Sequence, residues 1–351
     1  MRTVYSHESE KTAKKGSKTT PRLQLVDATG ATGVTSTTDL PPQSLQDMAD
    51  ALAQNLVASS TRRAYTHDWS HFVRWCADQK REPLPATADT VRLYLTDHAQ
   101  TYRPATLGRR LVAICRAHKA AGLEPPTRAE SVRNQLRAIR RTQGTAQSRK
   151  TALTIEKLRE MIATLPSETT RGKRDRALLL LGFAGAFRRS ELVGLDVADV
   201  SMEPQGLLVT LRRSKTDQEG AGRTVGIPTG INEATCPVRA YQAWIAVIKA
   251  AGIRCGPVFR SIDRHGNVST RRLTGESAAT VVKKAVSALG LDSDPYAGHS
   301  LRAGLVTEAA RQGIPDHKIM AQTGHKSRKM LDRYIRDARV FENNAAAGTG
   351  L

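Results

Sequence analysis

Acidic residues are scarce in this chain. Its 33 Asp and Glu stand against 54 Lys and Arg, a formal net charge of +21 over 351 residues. A surplus that large repels itself unless something acidic offsets it, which points to a polyanion as partner and to nucleic acid first. Long apolar runs are missing too. Mean hydropathy is −0.41, and no stretch approaches the ~20 apolar residues of a spanning helix, which argues against a membrane protein. The opening MRTVYSHESEKTAKK lacks the apolar core of a signal peptide. Cysteine is sparse: Cys76, Cys115, Cys236 and Cys255 offer no pair at metal-ligand spacing and read as buried, reduced thiols. Nor is there a carboxylate cluster suited to a metal ion, or an internal repeat. What remains is a soluble, cytoplasmic, nucleic-acid-binding chain, long enough for two domains.

Residues 1–42 are rich in Ser, Thr, Lys and Gly and close on Pro41-Pro42. Such a segment buries too little apolar surface to offset its ordering entropy, so it reads as a disordered extension. From 43 to 145 the pattern is helical. Ser44 can cap a helix carrying Leu45, Met48, Leu52 and Leu56. The next carries Tyr65, Trp69, Phe72, Val73 and Cys76, and a third Val91, Tyr94, Leu95 and His98, the histidine read as a core residue. A fourth follows Pro104 with Leu107, Leu111, Ile114 and Cys115 inward. For a fifth, Thr127 and Glu130 have capping-box spacing, with Val132, Leu136 and Ile139 inward.

The outer faces of the last two helices hold Arg109, Arg110, Arg116 and Lys119, then Arg133, Arg137, Arg140 and Arg141. A run of charge is ordinarily a solvated face, but solvated helices mix signs for i,i+4 pairing, and these carry almost no acid. They are the expected phosphate contacts. The polar stretch TQGTAQSRK, 142–150, reads as part of an interdomain linker, with 146–152 left between the two domains.

A second domain is expected over 153–343, followed by a tail at 344–351. Ala177–Phe187 is too rich in Leu, Ala and Gly for a strand and reads as a buried helix. LLVTLRRSKTDQEGAGRTVGIP, 207–228, alternates around a Gly-rich loop as a β-hairpin does. Helices begin near Pro237, near Ser277 and at His299, and the last covers about 327–341. The fold class is therefore mainly α with a small β-hairpin or sheet: an all-α N-terminal domain, then an α+β domain.

Five separated pieces of this second domain carry chemistry-bearing side chains: Arg188 with Glu191 in AFRRSEL; Lys215, the only lysine between Lys173 and Lys249; His299 and Arg302 in GHSLR; His325 after Gly324; and Tyr334 in LDRYIRD. Each has an ordinary reading. Arg188–Glu191 is a plausible helical ion pair, Lys215 a charge protecting a hairpin edge, His299 and Arg302 surface residues, His325 the follower of a helix-ending glycine, and Tyr334 a buried aromatic. In this order and spacing, however, the set resembles the active-site signature of the tyrosine recombinases, the phage integrase family, over residues 43–343. GHSLRAGLVTEAARQGI and YIRD are especially similar to Cre-like members borne by plasmids and transposons, although those carry tryptophan where His325 stands.

The resemblance implies a core-binding domain followed by a catalytic domain, and a site-specific recombinase that works through a 3′-phosphotyrosine and a Holliday junction. Tyr334 is then the nucleophile, Arg188 and Arg302 the bidentate clamp on phosphate, His299 the base, Lys215 the general acid, His325 a donor to phosphate and Glu191 a buttress. It implies no cofactor, metal or ATP, and as partners double-stranded DNA at a specific site and a homo-tetramer, assembled from monomers or dimers. It also implies that Val340 and Phe341, with the tail, pack on a neighbouring protomer, the ordinary reading of the same residues being a frayed terminus. The chemistry suits these residue types: a phenol preserves the phosphate bond as an ester, guanidiniums grip a phosphorane in two places, and an imidazole titrates near working pH. A type IB topoisomerase or telomere resolvase shares the catalytic set, and a non-catalytic DNA-binding regulator accounts equally well for the charge.

Overall fold

The computed structural model describes residues 57–146, 150–212, 220, 222–338 and 349. The extension at 1–42, the Ser44 helix, Lys215, Val340, Phe341 and the tail at 344–351 (apart from Thr349) lie outside the described residues.

The described part of the N-terminal region holds four α-helices: α1 Ser59–Asp78, α2 Ala88–Asp97, α3 Pro104–Ala120 and α4 Glu130–Gln143. The Thr87 hydroxyl caps α2 by accepting the Thr90 N–H, and Pro104 opens α3, where its missing N–H costs nothing. Phe72, Trp75, Cys76, Val91, Tyr94, Leu95, Leu107, Ile114, Val132, Leu136 and Ile139 form one apolar cluster, so the helical spacings seen in the sequence do face inward. The capping box at Thr127 does not form. Pro125 and Pro126 draw Thr127 into a single 3₁₀ turn, and Ala129 becomes the N-cap with no side-chain hydrogen bond. Helix α4 also runs on to Gln143, taking the first residues of the expected linker, and stops at Gly144 with φ +75°.

The second region is organised around α6 (Thr170–Ala184), which follows α5 (Ile155–Thr164). Ala177 through Leu181 are all buried on α6, as expected for a helix enclosed on every side. Burying each leucine side chain is worth about 1.5–3 kcal/mol. Gly185 ends α6 before Phe187, whose ring already fills the space a Cβ at 185 needs. Then come α7 (Arg189–Gly194) and an antiparallel sheet of β1 (Val200–Glu203), β2 (Gly206–Leu211) and β3 (Arg223–Pro228), in order β1-β2-β3. Leu207 opposes Ile227 and Val209 opposes Val225, and these apolar residues form the buried face, as the alternation in the sequence predicts.

Helix α8 (Pro237–Ala250), the pair β4 (Arg260–Ile262) and β5 (Val268–Arg272), α9 (Gly275–Ser287), α10 (Gly298–Arg311), α11 (Asp316–Thr323) and α12 (Arg328–Ala338) complete the described chain. Helix α6 packs against α8 and α10. Helix α12 is seated by a separate small cluster of Val306, Ala310, Ile319 and Leu331, with Tyr334 and Ile335 against it.

The sequence reading has no counterpart for α5, β1, β4 and β5. The three strands are short, and β5 is exposed or half-exposed throughout, so no clean alternation marks it. All four thiols are free, but Cys255 is exposed and Cys115 only half-buried, which corrects the expectation of four buried cysteines. Cys255 lies in the loop after α8, where no periodicity hides it. No helix among the described residues is long and apolar enough to cross a membrane.

Candidate active site and nucleic-acid surface

Arg188 reaches the site through a sharp turn. After Gly185, Ala186 adopts φ +47°, a left-handed conformation that costs an L-residue energy. Arg188 then becomes the N-cap of α7, and Glu191, three residues on, folds back on it. The Glu191 carboxylate accepts the Arg188 backbone N–H on Oε2 (2.9 Å) and the Arg188 Nη1–H on Oε1 (2.6 Å). Glu191 is buried, whereas the Arg188 side chain keeps 15% of its surface exposed. One edge of the guanidinium is thus fixed and the remainder can face an incoming anion.

Helix α10 supplies the next pair. It lies close to the 150–153 segment: the Thr151 N–H donates to the Pro295 carbonyl (2.8 Å) and the Leu153 N–H to the Ser300 carbonyl (3.1 Å). Gly304 permits this approach, because a Cβ there would sit 2.0 Å from the Leu153 carbonyl oxygen. His299 and Arg302, three residues apart, share the face turned to the site. Arg302 is 1% exposed, and its Nη1 donates to the Ala186 carbonyl at 2.7 Å. The strained residue therefore presents an acceptor to the second arginine. Burial first, then repulsion from Arg188, lowers the Arg302 pKa to about 10. The guanidinium still carries its charge at neutral pH, but poorly solvated, so an anion gains more from meeting it than in water.

His325 follows Gly324, which ends α11 in the left-handed region at φ +68°. Its Nε2 lies 2.9 Å from Arg302 Nη2, and its Nδ1 lies 2.9 Å from the Thr323 hydroxyl. Arginine only donates, so Nε2 accepts and the proton sits on Nδ1, donated to Thr323 Oγ1. Thr323 in turn donates to the Ile319 carbonyl at 2.7 Å. Burial, then Arg302 and Arg188, lower the His325 pKa to about 4. In this arrangement His325 is neutral, with Nε2 occupied as an acceptor. Donation from Nε2 to phosphate requires both release by Arg302 and a proton on Nε2, gained by protonation or a change of tautomer.

Tyr334 on α12 completes the group. Its hydroxyl lies 2.9 Å from His299 Nε2, and its ring stacks at 6.3 Å from the His325 ring. His299 is solvent-accessible, but partial desolvation, followed by the charges of Arg302 and Arg188, lowers its pKa. A neutral imidazole beside a phenol is poised to accept its proton.

Arg188, Glu191, His299, Arg302, His325 and Tyr334 are thus brought together, while Lys215 lies outside the described residues. Two further residues join them. Arg223, at the start of β3, places Nη2 3.6 Å from Glu191 Oε2 and donates from Nη1 to the Gln322 carbonyl at 3.0 Å. Sequence reading passed over both, because an arginine beginning a strand after a glycine carries no local mark of burial.

The helical region sorts its basic residues. Arg116, Lys119, Arg133, Arg137, Arg140 and Arg141 are exposed, and Arg140 lines a cleft with Arg103 and Gln143. Arg109 is also reachable, but its Nε and Nη2 donate to Asp68 at 2.7 and 3.0 Å. Arg110 corrects the expectation of a surface contact. It is 3% exposed, donates to the Tyr94 hydroxyl at 2.8 Å and lies 3.8 Å over the Tyr102 ring. Its position on α3 turns it toward α1 and α2, and the buried Asp68 carboxylate compensates its charge.

The pattern of the Phage integrase family matches residues 151–339. An integrase/recombinase xerD homolog of Selenomonas ruminantium is 41% identical over 82% of this chain and 84% of its own. The Cre recombinase of Escherichia phage P1 is 26% identical over 85% of this chain and 93% of its own. Among solved structures, a lambda integrase dimer bound to a COC′ core site superposes with a TM-score of 0.56 at 19% identity, covering 86% of this chain and 96% of that one. The lambda integrase tetramer bound to a Holliday junction gives 0.55 at 18%, covering 84% and 76%.

Proposed function

The chain belongs to the phage integrase family of tyrosine recombinases, and from that premise we propose that it exchanges DNA strands at a specific site through Tyr334. One observation carries the assignment of roles: the Tyr334 hydroxyl stands 2.9 Å from His299 Nε2, on the same side as Arg302 and Arg188. The phenolic oxygen of Tyr334 attacks the scissile phosphorus as its proton passes to His299, and the bond to the 5′-oxygen breaks. Arg188 and Arg302 hold the charge that grows on the non-bridging oxygens. The departing oxygen takes a proton from Lys215, the role its likeness to the family assigns. In the second step a 5′-hydroxyl of the partner duplex gives its proton to Lys215 and attacks the phosphotyrosine, His299 returns its proton to the departing Tyr334 oxygen, and the strand is rejoined with no net loss of ester bonds.

The substrate is double-stranded DNA, gripped from both sides by a core-binding region, 43–145, and a catalytic region, 153–343, joined near 146–152. The working assembly is a homo-tetramer on a Holliday junction, as in the lambda integrase relative, and the setting is the bacterial cytoplasm. Incubation with a nicked duplex bearing the recombination site tests this reading. A 3′-phosphotyrosyl adduct that peptide mapping places on Tyr334 is expected. A DNA-binding regulator leaves none.

Two expectations follow from charge and protonation. The basic face of α4 neutralises phosphates, and each contact contributes about 0.9 to the slope of log K against log salt. Replacing Arg133, Arg137, Arg140 and Arg141 together by alanine should flatten that slope by about 3–4. An unchanged slope would place the DNA elsewhere. His299 must be neutral to accept the proton, and its pKa is lowered from the ordinary 6.5. Cleavage should therefore stay constant from pH 8 down through 7 and lose rate only below pH 6.5, as the imidazole charges. A single-turnover pH profile already falling at pH 7 would remove His299 from this role.

A further inference from the structure

Arg223 is half-buried next to Arg188 and Arg302, where a third positive charge is unfavourable in isolation. Its Nε and Nη2 atoms are enclosed and have no hydrogen-bond partner among the described residues. Burial, with Arg188 adding repulsion, holds its pKa below the usual arginine value. A guanidinium kept there under those conditions needs a reason beyond packing. The contacts supply one. Glu191 lies between two arginines: Oε1 takes Arg188 Nη1, while Oε2 takes the Arg188 backbone N–H and faces Arg223 Nη2 at 3.6 Å.

Arg223 is itself held in register. Its Nη1 donates to the Gln322 carbonyl, and the Gln322 side-chain amide donates to the carbonyls of Ala184 (2.8 Å) and Gly226 (3.2 Å). One residue thus ties together the end of α6, the body of β3 and the corner before His325. Gly324 leaves the room: a Cβ there would stand 2.7 Å from Arg223 Nε.

We propose that Arg223 is a positioning residue for Arg188, acting through Glu191. By taking a share of the carboxylate's charge and fixing its second oxygen, Arg223 keeps Glu191 from drawing the whole Arg188 guanidinium inward. The remaining N–H groups of Arg188 can then turn to the scissile phosphate. Without Arg223 the buried carboxylate keeps its ion pair with Arg188, the closer of the two it makes among the described residues, and the clamp is pulled off the phosphate. The proposal rests on the strand-transfer reading above and adds a residue that does not itself touch DNA.

The test uses the full chain and a nicked suicide duplex whose site is recovered by selection from a random-sequence pool. Arg223→Ala should slow single-turnover cleavage about 10- to 100-fold, the scale of a misplaced catalytic group, with DNA affinity within about twofold of the native protein. Arg223→Gln, which retains a donor for the Gln322 carbonyl but no charge, should be slowed similarly and covers the case in which the alanine variant fails to fold. The deciding readout is coupling. Arg188→Lys/Arg223→Gln should cleave no more slowly than Arg188→Lys alone, because Arg223 has no other route to the phosphate. Arg212→Ala, which breaks the 2.6 Å pair with Asp199 at the end of β2, serves as the structural control and should leave the rate near native.

Multiplicative slowing in the double variant, or native rates for Arg223→Gln, overturns the proposal while native adduct formation leaves the enzyme reading standing. Absence of any adduct with the native protein overturns both.

Discussion

Tyr334→Phe is expected to abolish covalent adduct formation completely while leaving folding and DNA affinity almost unchanged. The substitution removes one oxygen. The ring remains against Val306, Ala310, Ile319 and Leu331, the cluster that seats α12, so the helix keeps its apolar anchor. The lost hydrogen bond joins the hydroxyl to His299, which is solvent-accessible. Water can take the vacated partner, and the stability change should not exceed about 1.5 kcal/mol. Chemistry has no such substitute. His299 and His325 have no oxygen with which to form a phosphate ester, and arginine is not a nucleophile at neutral pH, so loss of the phenol removes the step rather than slowing it. Denaturing gels of the suicide-substrate reaction check the first part, and a binding isotherm with a thermal melt checks the second. An adduct formed by the phenylalanine variant would return Tyr334 to the role of a packed aromatic.

Much of this arrangement was legible in the sequence, and what escaped has a common physical cause. The helices carrying Phe72, Leu107, Leu136 and Leu178 announce themselves by period and length, because their burial is one-sided or complete over many residues. The proposed catalytic residues were picked out by the likeness of their types, order and spacing to the family's signature, and six of the seven, Glu191 included, lie together in the fold. The misses are residues whose role depends on contacts distant in sequence. Arg110 looks like its neighbours Arg109 and Arg116 until α3 is docked on α1 and α2, and then Asp68 and Tyr94 claim it. Arg223 has no mark in the sequence until Gln322, 99 positions later, meets it. A one-dimensional pattern records which side of an element is apolar. It does not record which charge another element will bury.

The same distinction separates the two arginines of the proposed clamp and sets the expected outcome of Arg188→Lys. Arg302 is enclosed, and its Nη1 and Nη2 groups engage the Ala186 carbonyl and His325. Arg188 is the more accessible, with one edge on Glu191. Lysine at 188 keeps the positive charge, so Glu191 is not left without compensation and the fold should survive with a melting temperature close to native. It does not keep the geometry. An ammonium is a single point of charge, and the carboxylate already 2.6 Å from Arg188 Nη1 offers it the deeper well. The phosphate then loses one of its two forks in the transition state, where the non-bridging oxygens gain negative charge. Removal of one such donor typically costs about 10²- to 10³-fold in rate.

Cleavage by Arg188→Lys should accordingly fall by that order while binding to the intact site changes little, because ground-state phosphate is held by many other contacts along the duplex. Slow but finite adduct formation distinguishes it from the phenylalanine variant at 334. Single-turnover rates measured beside binding isotherms provide the check. A lysine variant cleaving within about threefold of native would mean that charge alone suffices at position 188, against the roughly hundredfold loss that a bidentate requirement predicts.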